Sequence, residues 1–173
     1  MEQVLIVDGY NIIGAWPSLQ KLRDISLEDA RDRLIDMLAE YQAYSGFKVY
    51  LVFDAYQVPG LGKEYRQSRL RVLYTKEKET ADELIERLVT ELIGRRRQIT
   101  VATSDMIEQH VIFGKGAYRL SASELYTRIV QNRREIQQRI HRPTTTGRHT
   151  LDNRIKSDLL DKLEKMRRGE NLP

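Results

Sequence analysis

Four aspartates, Asp8, Asp54, Asp82 and Asp105, are the residues best placed by type and spacing to do chemistry. Asp8 ends the apolar run Val4-Leu5-Ile6-Val7, Asp54 ends the β-rich stretch 47–53, and Asp105 follows the stretch 99–103 by two residues. Asp82 lies in the first turn of a helix opened by Thr80-Ala81-Asp82-Glu83. Carboxylates brought together repel and raise one another's pKa values. A divalent cation removes that cost. Hard oxygen ligands suit magnesium or manganese, which often bridge protein carboxylates and a substrate phosphate. One or two such ions can activate water and neutralise the leaving oxygen in phosphodiester cleavage. Each acid also has a plainer explanation. Asp8-Gly9 suits a turn, Asp82 and Asp105 suit helix N-termini, and Asp54 suits a strand end beside a loop. Asn11 is either a partner for a phosphate or for Asp8, or a cap or left-handed turn residue. Thr80, Thr103 and Ser104 divide the same way, with Thr80 explained by its capping box.

The elements that must position these groups alternate. Residues 4–7 form a continuous apolar run, as in a parallel strand buried on both faces. Ser26 opens a helix with Leu27, Ala30, Leu34, Met37, Leu38 and Tyr41 on one stripe, closed by Gly46. Residues 47–53 read as a second strand, 55–68 as a loop containing Pro59, Gly60 and Gly62, and 70–74 as a third, weaker strand. Trp16-Pro17 reads as the end of a first short helix. Thr80 and Glu83 form a capping box before a helix that stops at Gly94. A fourth strand spans 99–103, a helix opens near Ser104, and 117–120 suits a short fifth strand. Ser121-x-x-Glu124 opens a helix to about residue 140, a polar loop follows at 142–150, and a last helix spans about 151–168. Strands alternating with helices imply a parallel sheet covered on both faces. Ligands in such folds bind at the carboxyl ends of the strands, which is where the aspartates fall.

Composition narrows the chemistry further. The chain has 173 residues, a net charge of +4 and no cysteine. Its length suits one domain, and disulfides, thiolate zinc sites, iron–sulfur clusters and cysteine nucleophiles are excluded. Three histidines, His110, His141 and His149, are too scattered for a His-rich zinc site. No apolar run approaches the roughly 18 residues of a membrane span, and the N-terminus lacks the basic region of a secretion signal. A soluble, cytoplasmic protein without a membrane partner or an organic cofactor is expected. The charge is unevenly spread. Residues 1–127 hold 17 Lys and Arg against 19 Asp and Glu, whereas residues 128–173 hold 12 against 6. A basic segment beside a slightly acidic body suits a polyanion, as it also suits a solvated helix face.

Taken with their neighbours, the aspartates resemble a known set. Val7-Asp8-Gly9-Tyr10-Asn11, Val52-Phe53-Asp54-Ala55, Thr80-Ala81-Asp82-Glu83 and Ala102-Thr103-Ser104-Asp105 resemble the four motifs of the NYN-domain ribonucleases, of the PIN-like superfamily. Their order and spacing suit the YacP-type bacterial branch over roughly residues 1–140. The resemblance implies a PIN-like three-layer α/β/α sandwich around a mostly parallel sheet, with residues 141–173 as a basic loop and C-terminal helix. It implies a magnesium- or manganese-dependent endoribonuclease that cleaves mRNA in association with the ribosome. Carried over by position, Asp8, Asp82 and Asp105 are the central acids and metal ligands. Asp54 is a supporting acid, and Asn11 and Ser104 are polar partners. The products expected are 5′-phosphate and 3′-hydroxyl ends.

Basic residues supply candidate RNA contacts. Arg66, Arg69, Arg71 and Lys76 flank the third strand near Asp82, where charge equally suits an exposed edge. Arg133, Arg134, Arg139, Arg142, Arg148 and Arg154 form the densest cluster, and His141 and His149, flanking the basic loop, are further candidate phosphate contacts. Phosphate contacts of this kind give affinity and salt dependence without sequence preference. Arg95-Arg96-Arg97 follow a helix end, where cations are favoured anyway. Tyr10 and Tyr56 stand beside acidic motifs, where they either stack on unpaired bases or pack. Two other readings remain open: a non-catalytic RNA- or ribosome-binding module on the same fold, and a phosphatase or DNA nuclease on a similar sheet.

Overall fold

The computed structural model describes residues 1–55, 65–67 (backbone only), 70–105, 110–112, 114–141 and 167. The chain divides into two units, Met1–Gln137 and Gln138–Pro173. The last expected helix, about 151–168, lies outside the described residues apart from Arg167.

The first strand, β1 (Glu2–Asp8), is buried from Val4 to Asp8. Val4 and Ile6 enter one apolar cluster and Leu5 and Val7 the other, so both faces of the strand are covered. That explains why its sequence is continuously apolar rather than alternating. Three helices follow: α1 (Gly9–Ala15), α2 (Pro17–Ile25) and α3 (Leu27–Ser45). The Ser26 hydroxyl caps α3 and Gly46, at φ +76°, ends it. Next come β2 (Lys48–Phe53), β3 (Tyr65–Gln67), β4 (Leu70–Tyr74), α4 (Ala81–Leu92), β5 (Arg97–Ala102), β6 (Tyr118–Leu120) and α5 (Ala122–His141). The Thr80–Glu83 and Ser121–Glu124 capping boxes both form.

The sheet order is β3-β4-β2-β1-β5-β6. All neighbours are parallel except β3 and β4, which are antiparallel. One core joins α1, α2, α3 and α5 to one face of the sheet. The other joins α4 and Ile112 to the opposite face. The result is the expected three-layer α/β/α arrangement around a mostly parallel sheet.

The first short helix ends at Trp16-Pro17 as expected, with Ala15 its last residue and Trp16 its cap, and Pro17 also stands at the first position of α2. There a missing N–H costs nothing, because that donor has no intrahelical partner in any helix. The stretch 55–68 is not all loop, because residues 65–67 form the edge strand β3. Three residues are too few for alternation to show. Ser104 and Asp105 are not helical, residues 110–112 are, and the start of the helix expected near Ser104 lies outside the described residues.

Two packing details hold the acid-bearing edge. The Trp16 indole donates to the Ala122 carbonyl at 2.8 Å, a buried bond linking the α1–α2 junction to the start of α5. Gly9, directly after Asp8, lies under the Phe53 ring. A Cβ there would collide with that ring and stand 2.9 Å from the Val52 carbonyl. Overpacking of this sort costs about 1–3 kcal/mol. Gly9→Ala is therefore expected to lower stability to urea by about 2 kcal/mol or more. Gly94→Ala, where a Cβ meets nothing within 4 Å, is expected to shift it by less than about 0.5 kcal/mol. Equal effects of the two substitutions would refute the close approach at Gly9.

Candidate active site

The carboxyl edge of the parallel sheet gathers the four aspartates. Asp8 is the last residue of β1, and Asp54 immediately follows the neighbouring strand β2. Asp105 follows β5, the other neighbour of β1, and Asp82 lies in the first turn of α4. The connections from β1 through β2 to β4 progress to one side of the sheet. The crossover through α4 returns to β5 on the other side. Asp8 and Asp105 thus flank the point where strand order reverses, the position at which open α/β sheets bind ligands.

The acids share one electrostatic field. Asp8 is only 9% exposed, and its pKa is raised to about 6. Burial is the main cause, opposed by a hydrogen bond from the Asn11 amide and reinforced by Asp82, Asp105 and Asp54. The Asp82 carboxyl is also pushed up, first by partial burial and then by Asp105, Glu86, Asp54 and Glu83. Its side chain remains exposed.

Hydrogen bonds hold the strand ends in place. The Asn11 N–H donates to Asp8 Oδ1 at 3.4 Å, so Asp8 also caps α1. The Asn11 side-chain oxygen accepts from the Ser104 N–H at 2.7 Å. One residue thus ties the end of β1 to the segment bearing Asp105. The Asp105 N–H donates to Thr103 Oγ1 at 3.1 Å, and the Thr103 N–H donates to the Leu120 carbonyl at 3.1 Å. Ser104 is exposed and lends its backbone to this arrangement.

Two participants escaped the sequence reading. Thr75, buried one residue beyond β4, donates its hydroxyl to Asp54 Oδ1 at 3.5 Å and accepts from the Ala55 N–H at 2.8 Å. Its only sequence signal was a small polar residue directly after a strand. Arg31 on α3 donates to the Tyr10 hydroxyl at 3.1 Å, and nothing in the helical pattern marks it. Tyr10, Phe53 and Tyr74 form an aromatic row with centroid separations of 5.0 and 5.7 Å. Burial raises the Tyr10 and Tyr74 phenols, and Arg31 opposes that rise.

The expected RNA contacts are scattered. Lys76 is exposed just past β4, on the acid-bearing edge. Arg71 is half-buried, with its guanidinium 5.4 Å from the Tyr50 ring centroid. Arg66 is placed only by its backbone, opposite Arg71. Arg133 pairs with Glu40 of α3 at 2.8 Å, well down α5 from its start beside the acids. Arg134, Arg139 and His141 are exposed on the same helix. Arg69, Arg142, Arg148, Arg154, His149 and Tyr56 lie outside the described residues.

The donors present, oxygen only and rich in negative charge, are of the type that binds a hard dication. Among the described residues, no three His, Asp or Glu side chains form a ready-made metal cage. Magnesium does not require one, because it keeps several waters and takes one or two carboxylates with substrate phosphate.

Comparison with known proteins agrees with this architecture. The model of the YacP-like NYN domain matches residues 5–168. The chain is 47% identical over 167 residues to the YacP protein of Bacillus subtilis (strain 168), covering 96% of this chain and 98% of that one. The crystal structure of Rae1 (YacP) from Bacillus subtilis superposes with a TM-score of 0.72 at 47% identity, over 96% of this chain and 95% of that one. The crystal structure of a mutant of that same Bacillus subtilis protein superposes at 0.73 with 45% identity, over 88% and 89%.

The raised Asp8 pKa has a measurable consequence. Between the ordinary 3.8 and about 6, the folded chain keeps a proton on Asp8 that the unfolded chain has released. Stability therefore falls as pH rises through that window and stays low above it. In EDTA at about pH 7.5, Asp8→Asn, which retains a capping acceptor, is expected to stabilise the fold by up to about 2–3 kcal/mol. The gain should vanish near pH 4, at the foot of the window. Urea unfolding at both pH values checks it, and a destabilised variant at about pH 7.5 would contradict the burial argument.

Proposed function

The chain belongs to the YacP-like NYN domain family, and from that membership we propose that it is a metal-dependent endoribonuclease. Its substrate in this reading is single-stranded RNA, specifically mRNA on the ribosome, in the cytoplasm. The observation that carries the reading is the buried Asp8 carboxylate, faced by Asp82, Asp105 and Asp54 at the reversal point of strand order. A purely structural N-cap does not need three further acids in its field, and a folded protein gains nothing from their mutual repulsion. A cation-binding site does.

In this reading Asp8, Asp82 and Asp105 hold magnesium or manganese. The ion supplies charge neutralisation of the phosphate and acidification of water. The chain's own residues set the geometry. Asn11 is a positioning residue, because its amide oxygen fixes the Ser104 N–H and through it the Asp105 segment. Thr75 holds Asp54 as the supporting acid. Lys76 and Arg71 give an incoming strand a positive approach to an edge that would otherwise repel it. The Gln138–Pro173 unit, basic in composition, adds sequence-independent affinity for RNA. Hydrolysis with water as nucleophile leaves 5′-phosphate and 3′-hydroxyl ends.

The decisive assay uses translating ribosomes as well as free RNA, with the full chain in magnesium or manganese. Asp8→Asn and Asp82→Asn should each lower cleavage by on the order of 100-fold or more while leaving a cooperative unfolding transition. EDTA should abolish cleavage of both substrates. Full activity in EDTA, or products with 2′,3′-cyclic phosphate ends, would refute the mechanism. RNA binding without cleavage of either substrate would instead establish a binding module.

A further inference from the structure

We propose that the amino edge of the sheet, opposite the acidic edge, carries a second seat for the phosphates of a structured RNA, formed by Arg95 and Arg96. A shallow, solvent-open depression of about 550 Å³ lies there, lined by Met1, Glu2, Arg95, Arg96 and Arg97. Three cationic side chains line it, Arg95, Arg96 and Arg97, and Lys48 on the neighbouring β2 reaches Glu2. Glu2 is the carboxylate that faces them, and it is already engaged by Arg97 at 2.7 Å and Lys48 at 3.5 Å. Arg95 and Arg96 are exposed and, among the described residues, take no carboxylate partner.

Ordinary structural roles do not account for these two arginines. Helix-dipole compensation acts within the last turn, and the last turn of α4 contains no basic residue. Arg95 and Arg96 lie beyond its cap at Ile93. They occupy the centre of a turn closed by the Arg97 N–H donating to the Gly94 carbonyl at 3.1 Å. Turn centres favour Gly, Pro, Asn, Asp and Ser for conformational reasons, and arginine offers none of those advantages. The turn is also firmly held, because the Glu2 N–H donates to the Arg96 carbonyl at 2.8 Å. Two guanidinium groups presented from a fixed turn suit bidentate recognition of phosphate oxygens.

Position separates this seat from the cutting edge. Glu2 and Asp8 are the two ends of β1, so the two edges stand about 20 Å apart at about 3.3 Å per residue. A phosphate held at Arg95 and Arg96 is therefore not the one being hydrolysed. The seat anchors the protein to RNA without presenting a scissile bond, and its argument does not depend on the acidic edge being catalytic.

The test uses the full chain and a fluorescein-labelled RNA hairpin, titrated over a range of salt. The double substitution Arg95→Gln/Arg96→Gln should weaken hairpin binding about tenfold at low salt and reduce the slope of log K against log salt by about 1–2. Arg95→Lys/Arg96→Lys should restore most of the slope. Cleavage of a short single strand in magnesium should be the same in the glutamine variant as in the wild type. An unchanged slope in the glutamine variant overturns the seat, even if cleavage by the acidic edge is intact. Oligo-glutamate of equal charge that binds as tightly as the hairpin, and does so through the same two arginines, also overturns it, by assigning the surface to an acidic protein. Absence of cleavage by the wild type bears on the acidic edge alone.

Discussion

Burying Asp8 at the end of β1 costs free energy, first because its carboxyl leaves water and then because three other carboxylates face it, and one backbone amide offsets part of that cost. The rest of the edge is organised around holding that acid in place. Gly9 is reduced to a hydrogen so that the chain can turn under Phe53. Asn11 reaches back to Asp8 with its backbone and across to Ser104 with its side chain. The apolar run of β1 supplies the stability against which a poorly placed charge can be tolerated, since all four of its residues from Val4 to Val7 are at most 1% exposed.

Topology turns this local tension into a shared site. A parallel sheet puts every strand's carboxyl end on one side, and the reversal of order at β1 opens the gap between the connections that leave β1 and those that return to β5. Strand ends alone would leave the acids on mobile loops. The hydrogen bonds at Thr75, Asn11 and Thr103 tie the segments bearing Asp54 and Asp105 back to the strand ends instead. The two edges of the sheet consequently differ in sign: acids at the carboxyl edge, and arginines with Lys48 at the amino edge.

Much of this was legible in the sequence, for identifiable reasons. The run Val4-Leu5-Ile6-Val7 announced a strand covered on both faces, and the structure covers it. The capping boxes at Thr80 and Ser121 are encoded within four residues, so no tertiary context was needed to read them. The convergence of Asp8, Asp54, Asp82 and Asp105 followed from the parallel-sheet rule and needed only the element order. What escaped depended on contacts distant in sequence or on elements too short for a period. Thr75 and Arg31 matter because of partners about twenty residues away. Edge strand β3 is three residues long. Pro17 starts a helix at a position where a breaker and an initiator look alike. Arg133 read as an RNA contact, but its guanidinium is held by Glu40, ninety-three positions away.

The Asn11–Ser104 bond also joins residues ninety-three positions apart. During synthesis from the N-terminus, β1 and its aspartate emerge first, and β5 completes the other flank only after most of the domain has been made. Until then the central strand has an unpaired edge and Asp8 lacks the company of Asp105. The acidic edge is therefore an assembled property of the nearly finished chain, and a growing fragment carries its residues without its chemistry.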